Sequence, residues 1–423
     1  GGVDDDHIDM LHGDIVSEID DYVSTHVLDY ASATFHEDLV TDVTETIFEA
    51  TVNSGLCDDT DANHQEIAET VEAVVQNYFQ QMGVCPVRSY AADASLGAMP
   101  LSVSNDELQR HFVYLKSLPQ PAQRTPEWYE FRHNLLTASN VYKALGSAAQ
   151  RNQLIYEKCK PARIPTESDA APNTLSATHW GQKYEQVTTM IYERMYPGNH
   201  VDTEFGCIQH PEYRFLGASP DGIVVAGPRV GHMVEIKNTV SRTIADTPIM
   251  SHWVQCQVQM ETCNLDYCDY IQTSIAEINE AAFYAEEEED EAEEDVPSYR
   301  GLILHLISKT GGGADYKYLY MPLDLPTTRA SVTQWIQANS AKYRADYVLF
   351  QAIYWRLREV SCVVIPRNRE WFRAALPMFR SAWDTIERER QQGYEHRAPK
   401  KKAAAAEPTM NAVLYNTIVK LDG

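Results

Sequence analysis

The spacing of apolar residues changes along this 423-residue chain, and the change separates a helical part from a mixed part. Between residues 1 and 95, apolar residues recur every three or four positions, as at Ile15 and Ile19 and again at Val71 and Val75. This spacing predicts helices. Shorter apolar runs at residues 201–206 and 213–218 predict strands that lead into a turn.

Downstream of that turn the pattern changes several times between helix and strand. Residues 249–262 predict an amphipathic helix, and residues 266–271, 302–306 and 316–321 predict strands. Two long helices are predicted within residues 327–391, with a break just before Arg367. The expected fold class is α/β, in which a central mixed sheet is flanked by helices, preceded by a helical module and followed by C-terminal helices.

Polar residues interrupt the predicted strands at the turn and along the strand that follows it. Asp221 follows the strand at residues 213–218, and Gly222 has the conformational freedom that a turn needs. Glu235 and Lys237 are two residues apart, so both point to the same face of a strand. If these strands pair, Asp221 and Glu235 converge, and carboxylate oxygens suit Mg²⁺ or Mn²⁺. The sequence therefore predicts a divalent-metal site with a lysine beside it.

The distribution of charge decides whether a nucleic acid is an acceptable partner. The net charge of the whole chain is −26, which at first argues against DNA. Residues 1–98 contribute −20 and residues 277–295 contribute −11, which leaves +5 on the rest. Because phosphate contacts depend on local charge, a mildly basic body with two acidic appendages is compatible with DNA binding.

The cysteines and the hydropathy exclude several classes of protein. The eight cysteines include no Cys-x-x-Cys pair, so a zinc ribbon, a thioredoxin-type site and an iron–sulfur cluster are not expected. Scattered cysteines without a signal peptide indicate free thiols, and so an intracellular protein of the host cytoplasm or nucleus. No run of 18 apolar residues is present, so no membrane span is expected.

The acidic turn and the strand after it resemble a known metal site. Asp221, a spacer of about a dozen residues and then Glu235-x-Lys237 resemble the PD-(D/E)xK nuclease superfamily. The string GASPDG at residues 217–222 is similar, more specifically, to the lambda-exonuclease or YqaJ-type viral recombinase family. The resemblance implies a restriction-endonuclease-like core, with Mg²⁺ or Mn²⁺ held by Asp221, Glu235 and the carbonyl of Ile236. It also implies that Lys237 positions or deprotonates the attacking water, or stabilises the oxyanion.

A second motif of the same family lies upstream. Thr125 and Pro126 suit a helix start, and the hydroxyl-rich residues 137–139 are expected to open another helix, whose N-terminus would attract an anion. In the family, the arginine and serine equivalent to Arg132 and Ser139 bind a 5′-terminal phosphate. The alternative is an arginine in a surface ion pair and a serine that only caps a helix. The residues assigned to phosphate or DNA binding are Arg132, Thr137, Ser139 and Ser219.

Two helical motifs complete the resemblance. Gly181-x-x-x-Glu185 is similar to the family helix whose glutamate reaches the metal. The glutamine-rich run that ends at Met260 is similar to the helix that packs beside the catalytic lysine. One of Gln255 or Gln257 is expected to orient the attacking water or a phosphate oxygen, and the spacing alone does not choose between them. The assigned catalytic residues are Asp221, Glu235, Lys237, Glu185, Gln255 and Gln257, and the assigned metal ligands are Asp221, Glu235, Ile236 and Glu185.

Composition divides the chain into three parts. Residues 1–98 form an acidic helical module, residues 99–392 form the nuclease-like domain, and residues 393–423 form a flexible basic tail. Within the domain, residues 279–297 are an acidic insertion that is expected to be disordered. The Pro-rich and basic segment at residues 158–176 is expected to be a loop near the DNA.

The resemblance covers about residues 120–390 and implies a function. It implies a Mg²⁺-dependent 5′→3′ exonuclease for linear double-stranded DNA, used in recombination, replication or repair by a virus or phage-like element. The implied partners are double-stranded DNA ends, a single-strand annealing protein and, as in some members, a ring-shaped homotrimer. Two alternatives stay open: a herpesvirus alkaline-nuclease type of enzyme that acts on DNA or RNA without needing a 5′-phosphate, and a non-catalytic interaction protein on a nuclease fold.

Overall fold

The structure, a computed structural model, has helices at both ends of the described chain and a mixed sheet between them. It describes residues 5–32, 34–82, 103–123, 125–162, 164, 176–240, 242–245, 248–285, 299–310 and 315–398. No helix in these ranges is long and apolar enough to cross a membrane. The first three helices are α1 (Asp5–Thr25), α2 (Phe35–Asn53) and α3 (Asp61–Met82). They pack on one another through the predicted apolar stripes, in which Ile19, Leu39 and Val75 are fully buried.

Four more helices and a short strand precede the main sheet. The helix predicted to begin at Thr125 is confirmed, because its hydroxyl accepts a hydrogen bond from the backbone N–H of Trp128 at 3.2 Å. Pro126 occupies the first helical position. In chain order, these elements are α4 (Asn105–Ser117), α5 (Pro126–His133), β1 (Leu136–Thr137), α6 (Ala148–Cys159) and α7 (Ala177–Met195).

Two segments here differ from the prediction. The helix predicted to open at Thr137 is wrong, because this residue belongs to β1, which pairs in parallel with residues 216–217. Hydroxyl side chains suit strand ends as well as helix caps, and only the distant partner decides. The loop predicted from Lys158 also begins too early. A capping box at Ser147 starts α6, and this helix runs through Lys158.

Seven of the strands form one curved mixed sheet, and this arrangement confirms the predicted fold class. The elements that follow α7 are β2 (His200–Asp202), β3 (Ile208–Gln209), β4 (Leu216–Ala218), β5 (Gly222–Ala226), β6 (His232–Thr239), α8 (Met250–Cys263), β7 (Tyr267–Ile278), α9 (Glu280–Ala285), β8 (Arg300–Ser308), β9 (Tyr316–Tyr320), α10 (Arg329–Tyr343), β10 (Tyr347–Pro366) and α11 (Arg369–Gln392). The large sheet has the order β2-β5-β6-β7-β10-β8-β9, and a smaller sheet has the order β1-β4-β3. Strands β6 and β7 are parallel neighbours, so α8 crosses over between them.

Strand β10 is the largest departure from the predicted elements. The sequence predicts helix up to residue 362, but the 20 residues of β10 pair with β7 over residues 354–366 and with β8 over residues 347–356. The pairing partners of β10 are distant in the chain, so local spacing does not reveal the strand. The two C-terminal helices, α10 and α11, are present on either side of it.

The acidic insertion is partly ordered. Residues 280–285, predicted to be disordered, form α9, because Phe283 is fully buried against the strands and its carbonyl accepts a hydrogen bond from Arg300 at 3.2 Å. One buried aromatic ring outweighs the acidic composition of this short stretch. The rest of the predicted insertion, from residue 286, lies outside the described residues.

The tail predicted to be flexible from residue 393 begins with an ordered turn. Arg397 forms an ion pair with Glu389 on α11 and donates a hydrogen bond to Asn152 at 3.0 Å. This ion pair holds the chain against α6 and α11. The predicted tail beyond residue 398 lies outside the described residues.

The turn between α1 and α2 connects the N-terminal helices to the rest of the molecule. This turn, Val27–Ala31, contacts α8 and α11. Val27 and Leu28 pack against a hydrophobic core that continues into the sheet region. The N-terminal helices therefore share a core with the body, and the domain boundary near residue 98, outside the described residues, stays a prediction.

Candidate active site

The predicted turn and strand meet within the large sheet, where β5 and β6 are neighbours. Asp221 lies between β4 and β5, and its carboxylate accepts a hydrogen bond from the backbone N–H of Ile236 on β6 at 2.8 Å. Gly222 pairs with Val234, and a Cβ at Gly222 would lie 2.4 Å from a methyl carbon of Val201. Only glycine fits there, so the close strand packing that brings Asp221 to β6 depends on it.

Glu235 is fully buried, and three side chains contact its carboxylate. Lys237 forms an ion pair with one oxygen, Oε1, which also accepts a hydrogen bond from Gln255 Nε2 at 2.7 Å. The other oxygen, Oε2, accepts from Gln259 Nε2 at 2.7 Å. Gln255 Oε1 in turn accepts from Lys237 Nζ at 3.2 Å. These hydrogen bonds fix the orientation of the carboxylate and of the ammonium group.

Of the two glutamines assigned from the sequence, the structure brings only Gln255 to this cleft. Gln257 points to the opposite side of α8, where it donates to the Pro366 carbonyl at 2.8 Å and accepts from Asn368 N at 2.7 Å. Its assignment to the site is therefore wrong. Gln259 was missed, although its spacing of four from Gln255 puts both on one helix face.

The acidic groups face a cleft of about 560 Å³ together with Lys237. Burial, and then the charges of Glu235 and Glu185, raise the pKa of Asp221 well above its ordinary value. Burial alone disfavours the ammonium of Lys237, but Glu235 and Asp221 raise its pKa above the ordinary value, so it is protonated. Asp221, Glu235 and Glu185 thus outnumber the two cations that line the same cleft, Lys237 and Arg242.

This excess of negative charge fits a divalent cation. Carboxylate oxygens beside an open cleft are the ligands that Mg²⁺ and Mn²⁺ prefer, and a cation would relieve the repulsion that acts on Asp221. Among the described residues, no group of three or more His, Cys, Asp or Glu side chains is already arranged as a ligand set. The ammonium of Lys237 and the side-chain amides of Gln255 and Gln259 already donate to the two Glu235 oxygens, so a cation would compete with them for these oxygens.

Two further polar residues line the cleft. His252 contacts the Tyr270 hydroxyl through Nδ1 at 2.6 Å, and burial, followed by the charges of Lys237 and Arg242, lowers its pKa to about 3. His252 is therefore neutral at ordinary pH. Arg242 donates to Gln272 at 2.7 Å and was missed, because a single arginine in a loop gives no sequence signal.

The four residues assigned to phosphate binding lie in or close to the turn that carries Asp221. Arg132 donates to the Ser219 hydroxyl at 3.0 Å, two residues before Asp221, and its guanidinium lies 4.7 Å from the Trp128 ring centre. The hydroxyls of Thr137 and Ser139 are 3.2 Å apart. Arg132 and Thr137 line a small cavity of about 170 Å³. Within the described residues, Arg132 forms no ion pair, and its guanidinium contacts Ser219 and the ring of Trp128.

Three comparisons with known proteins bear on this site. Residues 127–266 match the YqaJ-like viral recombinase domain. An uncharacterized protein, R354, of Acanthamoeba polyphaga mimivirus is 28% identical over 309 residues, which are 64% of this chain and 54% of R354. The chain thus spans about half the length of that relative. Crystal structures of the alkaline exonuclease LHK-Exo of Laribacter hongkongensis, alone and with dAMP, are 18% identical, with a TM-score of 0.34, and the match covers 64% of this chain and 95% of theirs.

The matched family domain contains Arg132, Glu185, Asp221, Glu235 and Lys237, and it ends just after α8. It therefore includes both the acidic cleft and the cavity beside Arg132. This match confirms the resemblance seen in the sequence. The similarity of this chain to the YqaJ-like viral recombinase domain thus extends over residues 127–266.

Proposed function

We propose that this chain is a divalent-metal-dependent nuclease that degrades linear double-stranded DNA from 5′ ends. The observation that carries the proposal is the cleft in which three carboxylates face only two cations; the carboxylates belong to Asp221, Glu235 and Glu185 and the cations to Lys237 and Arg242. Hydrolysis of a phosphodiester needs positive charge beside an anionic substrate. Three carboxylates repel one another in this cleft, so a bound cation would relieve the repulsion and supply that positive charge.

The residues of the cleft divide the work of hydrolysis. Asp221, Glu235, Glu185 and the carbonyl of Ile236 would hold Mg²⁺ or Mn²⁺. When bound, the cation supplies Lewis-acid charge that offsets the charge developing on the phosphate. Lys237, as an ammonium, donates a hydrogen bond to the attacking water or to a phosphate oxygen.

The neighbours of these groups keep them in place. Gln255 and Gln259 hold the Glu235 carboxylate from both oxygens, so it cannot rotate away when Lys237 turns to the substrate. Neutral His252 hydrogen-bonds to Tyr270, on the strand next to β6, and borders the cleft without adding charge.

The cavity beside Arg132 supports recognition of a 5′ end. Arg132 bridges from this cavity to Ser219, in the same turn that carries Asp221. A terminal phosphate held by Arg132, Thr137 and Ser139 would place a neighbouring phosphodiester towards the acidic cleft. The direction of degradation follows from that placement. A single-strand annealing protein and a ring-shaped trimer stay predictions of the family resemblance.

The proposal is tested with three duplex substrates in Mg²⁺: 5′-phosphorylated linear, 5′-hydroxyl linear and circular DNA. We expect the phosphorylated linear duplex to be degraded fastest, the circle to persist, and EDTA to stop the reaction. Asp384→Asn, on an exposed part of α11, serves as the carboxylate control for Asp221→Asn. Activity that survives EDTA or Asp221→Asn would contradict the proposal.

The same experiment separates the two alternatives. Cleavage of the circle, or of RNA, would favour an enzyme of the herpesvirus alkaline-nuclease type. No cleavage of any substrate with Mg²⁺ or Mn²⁺ would favour a non-catalytic interaction protein. The presence of all three residues, Asp221, Glu235 and Lys237, favours the nuclease.

A further inference from the structure

Lys158 is a buried cation without a counter-charge among the described residues. It lies in the last turn of α6 with 9% of its surface exposed. Its ammonium donates to the backbone carbonyl of Arg132 at 2.8 Å. No ion pair of Lys158 occurs within the described residues. An ammonium has three donors, and within the described residues the Arg132 carbonyl accepts from one of them.

The groups around Lys158 add positive charge. Arg390, on α11, donates to the carbonyls of both His133 and Lys158, at 2.9 and 2.8 Å. Burial and then the charges of Arg132 and Arg390 lower the pKa of Lys158 to about 8. Burial and then Arg390 and Lys158 lower the pKa of His133 to about 4. In both residues burial is the main cause of the lowered pKa, and the neighbouring positive charges add to it.

A small cavity lies beside Lys158 and Arg132. Lys158, Arg132 and Thr137 are among its lining residues, and its volume is about 170 Å³. At ~30 Å³ for each water, this is space for several water molecules or one phosphate group. A buried charge is costly unless it is paired. An anion that enters the cavity would supply this counter-charge.

We propose that Lys158 is a binding residue for the terminal phosphate and that, together with Arg132, it makes this cavity select a phosphate monoester over an internal diester. A monoester carries about −1.5 to −2 charges at pH 7, whereas a diester carries one. Two cations around one cavity match the more highly charged group. Nothing in the sequence motifs of the family resemblance assigns Lys158, and the inference rests on the proposed function in one respect, that the phosphate belongs to a DNA end.

The first test needs no catalysis. Binding of inorganic phosphate to the full chain in EDTA is measured by the shift in melting temperature and by calorimetry. The variants are Lys158→Met, which keeps the length of the side chain without its charge, and Lys158→Arg, which keeps a charge. The matched control is Lys143→Met, which removes a lysine paired with Glu157 outside the cavity.

We expect phosphate to stabilise the wild type and Lys143→Met, and its affinity for Lys158→Met to fall at least tenfold. Without phosphate, Lys158→Met should melt at the temperature of the wild type or above it, because a buried uncompensated charge is removed. A variant that melts well below the wild type would show that Lys158 is a structural brace and would overturn the proposal. So would unchanged phosphate binding in Lys158→Met.

The second test uses the duplex substrates. The ratio of kcat/KM for 5′-phosphorylated ends to that for 5′-hydroxyl ends should fall at least tenfold in Lys158→Met, and it should stay unchanged in Lys143→Met. Lys158→Arg should keep more of the ratio than Lys158→Met. An equal loss on both ends would contradict selection at Lys158. If phosphate binding depends on Lys158 but no DNA is cut, the cavity stands and the proposed nuclease function fails.

Discussion

The carboxylate of Asp221 lies beside two other carboxylates, whose negative charges repel it. Burial and the charges of Glu235 and Glu185 raise its pKa, while a backbone hydrogen bond from Ile236 keeps it in place. Such strain at a functional site lowers stability until a ligand relieves it. The cost in stability and the affinity for a cation therefore have one origin.

Replacing Asp221 by asparagine should separate these two effects. Asn keeps an oxygen for the Ile236 N–H and removes the charge, so the melting temperature in EDTA should rise. Turnover should fall by at least ~10³, about 4 kcal/mol of barrier. Differential scanning calorimetry with and without Mg²⁺, beside rate measurements, checks both. A lower melting temperature in EDTA for Asp221→Asn, with Asp384→Asn unchanged, would contradict this account.

The three glutamines of α8 allow a comparison within one helix. Gln255→Ala and Gln259→Ala each remove a donor from Glu235, so we expect kcat to fall by ~10- to 100-fold with little change in KM. Gln257→Ala removes bonds to Pro366 and Asn368 instead. It should lower stability by ~1–3 kcal/mol and spare kcat. Steady-state kinetics and thermal melting of the three variants test this prediction. A loss of kcat that is largest in Gln257→Ala would contradict the placement of Gln255 and Gln259, rather than Gln257, on the side of α8 that faces Glu235.

At the scale of elements, strand β7 carries a buried ionic brace behind the active strands. Asp269 is fully buried; its oxygens lie 2.9 Å from Arg229 Nη1 and 3.0 Å from His232 Nδ1, and one accepts a hydrogen bond from Tyr192 at 2.5 Å. These contacts connect β7 to α7, to β6 and to the β5–β6 turn. Burial alone would raise the pKa of Asp269, but the contacts with His232, then Arg229 and Tyr192, hold it below the ordinary value.

Replacement of Asp269 by asparagine should destabilise the protein by ~3–5 kcal/mol at pH 7, because Arg229 is left buried without its counter-charge. Since the folded-state pKa is lowered, the stabilisation is complete above the unfolded value of about 4 and is lost as the pH falls through the folded value. The difference between wild type and variant should therefore shrink below about pH 4. Urea unfolding from pH 3 to 7 measures this difference in the free energy of unfolding. A difference that grows towards low pH would contradict a stabilising role of the Asp269 ion pairs.

The sequence predicts elements well where the cue is local. Thr125 and Pro126 mark a helix start, and Asp221, Glu235 and Lys237 follow from a turn and a two-residue spacing. It fails where a distant partner decides, as for β10, whose ladder partners are far away in the chain. Lys158 and Arg242 give no local cue, because their roles depend on which cavity the fold brings to them.

At the scale of the whole molecule, the turn at Val27–Ala31 connects the acidic helical segment to the body. Leu28, in that turn, packs on the shared core, and the turn contacts α8, the helix that supplies Gln255 and Gln259. Undocking of the N-terminal helices would therefore expose part of the support of Glu235.

Leu28→Asp should loosen this contact, because a carboxylate replaces a half-buried apolar side chain. We expect a loss of ~2–4 kcal/mol in stability and faster amide exchange in α8 and α11. Leu56→Asp, on a residue that is 58% exposed in the same helical segment, is the matched control. Hydrogen exchange with mass spectrometry reports on each helix. Equal exchange in the two variants would show that the turn does not carry the contact.

Strand β10 has a mechanical consequence. The same strand belongs to the ladder with β7 and to the ladder with β8, and each ladder has a register shift, at residues 357–359 and 349–351 respectively. A force applied at β9 would load β8 and then β10, and from β10 it would reach β7, the neighbour of the strand that carries Glu235 and Lys237. Deformation of the outer strands would therefore reach the reactive groups through β10.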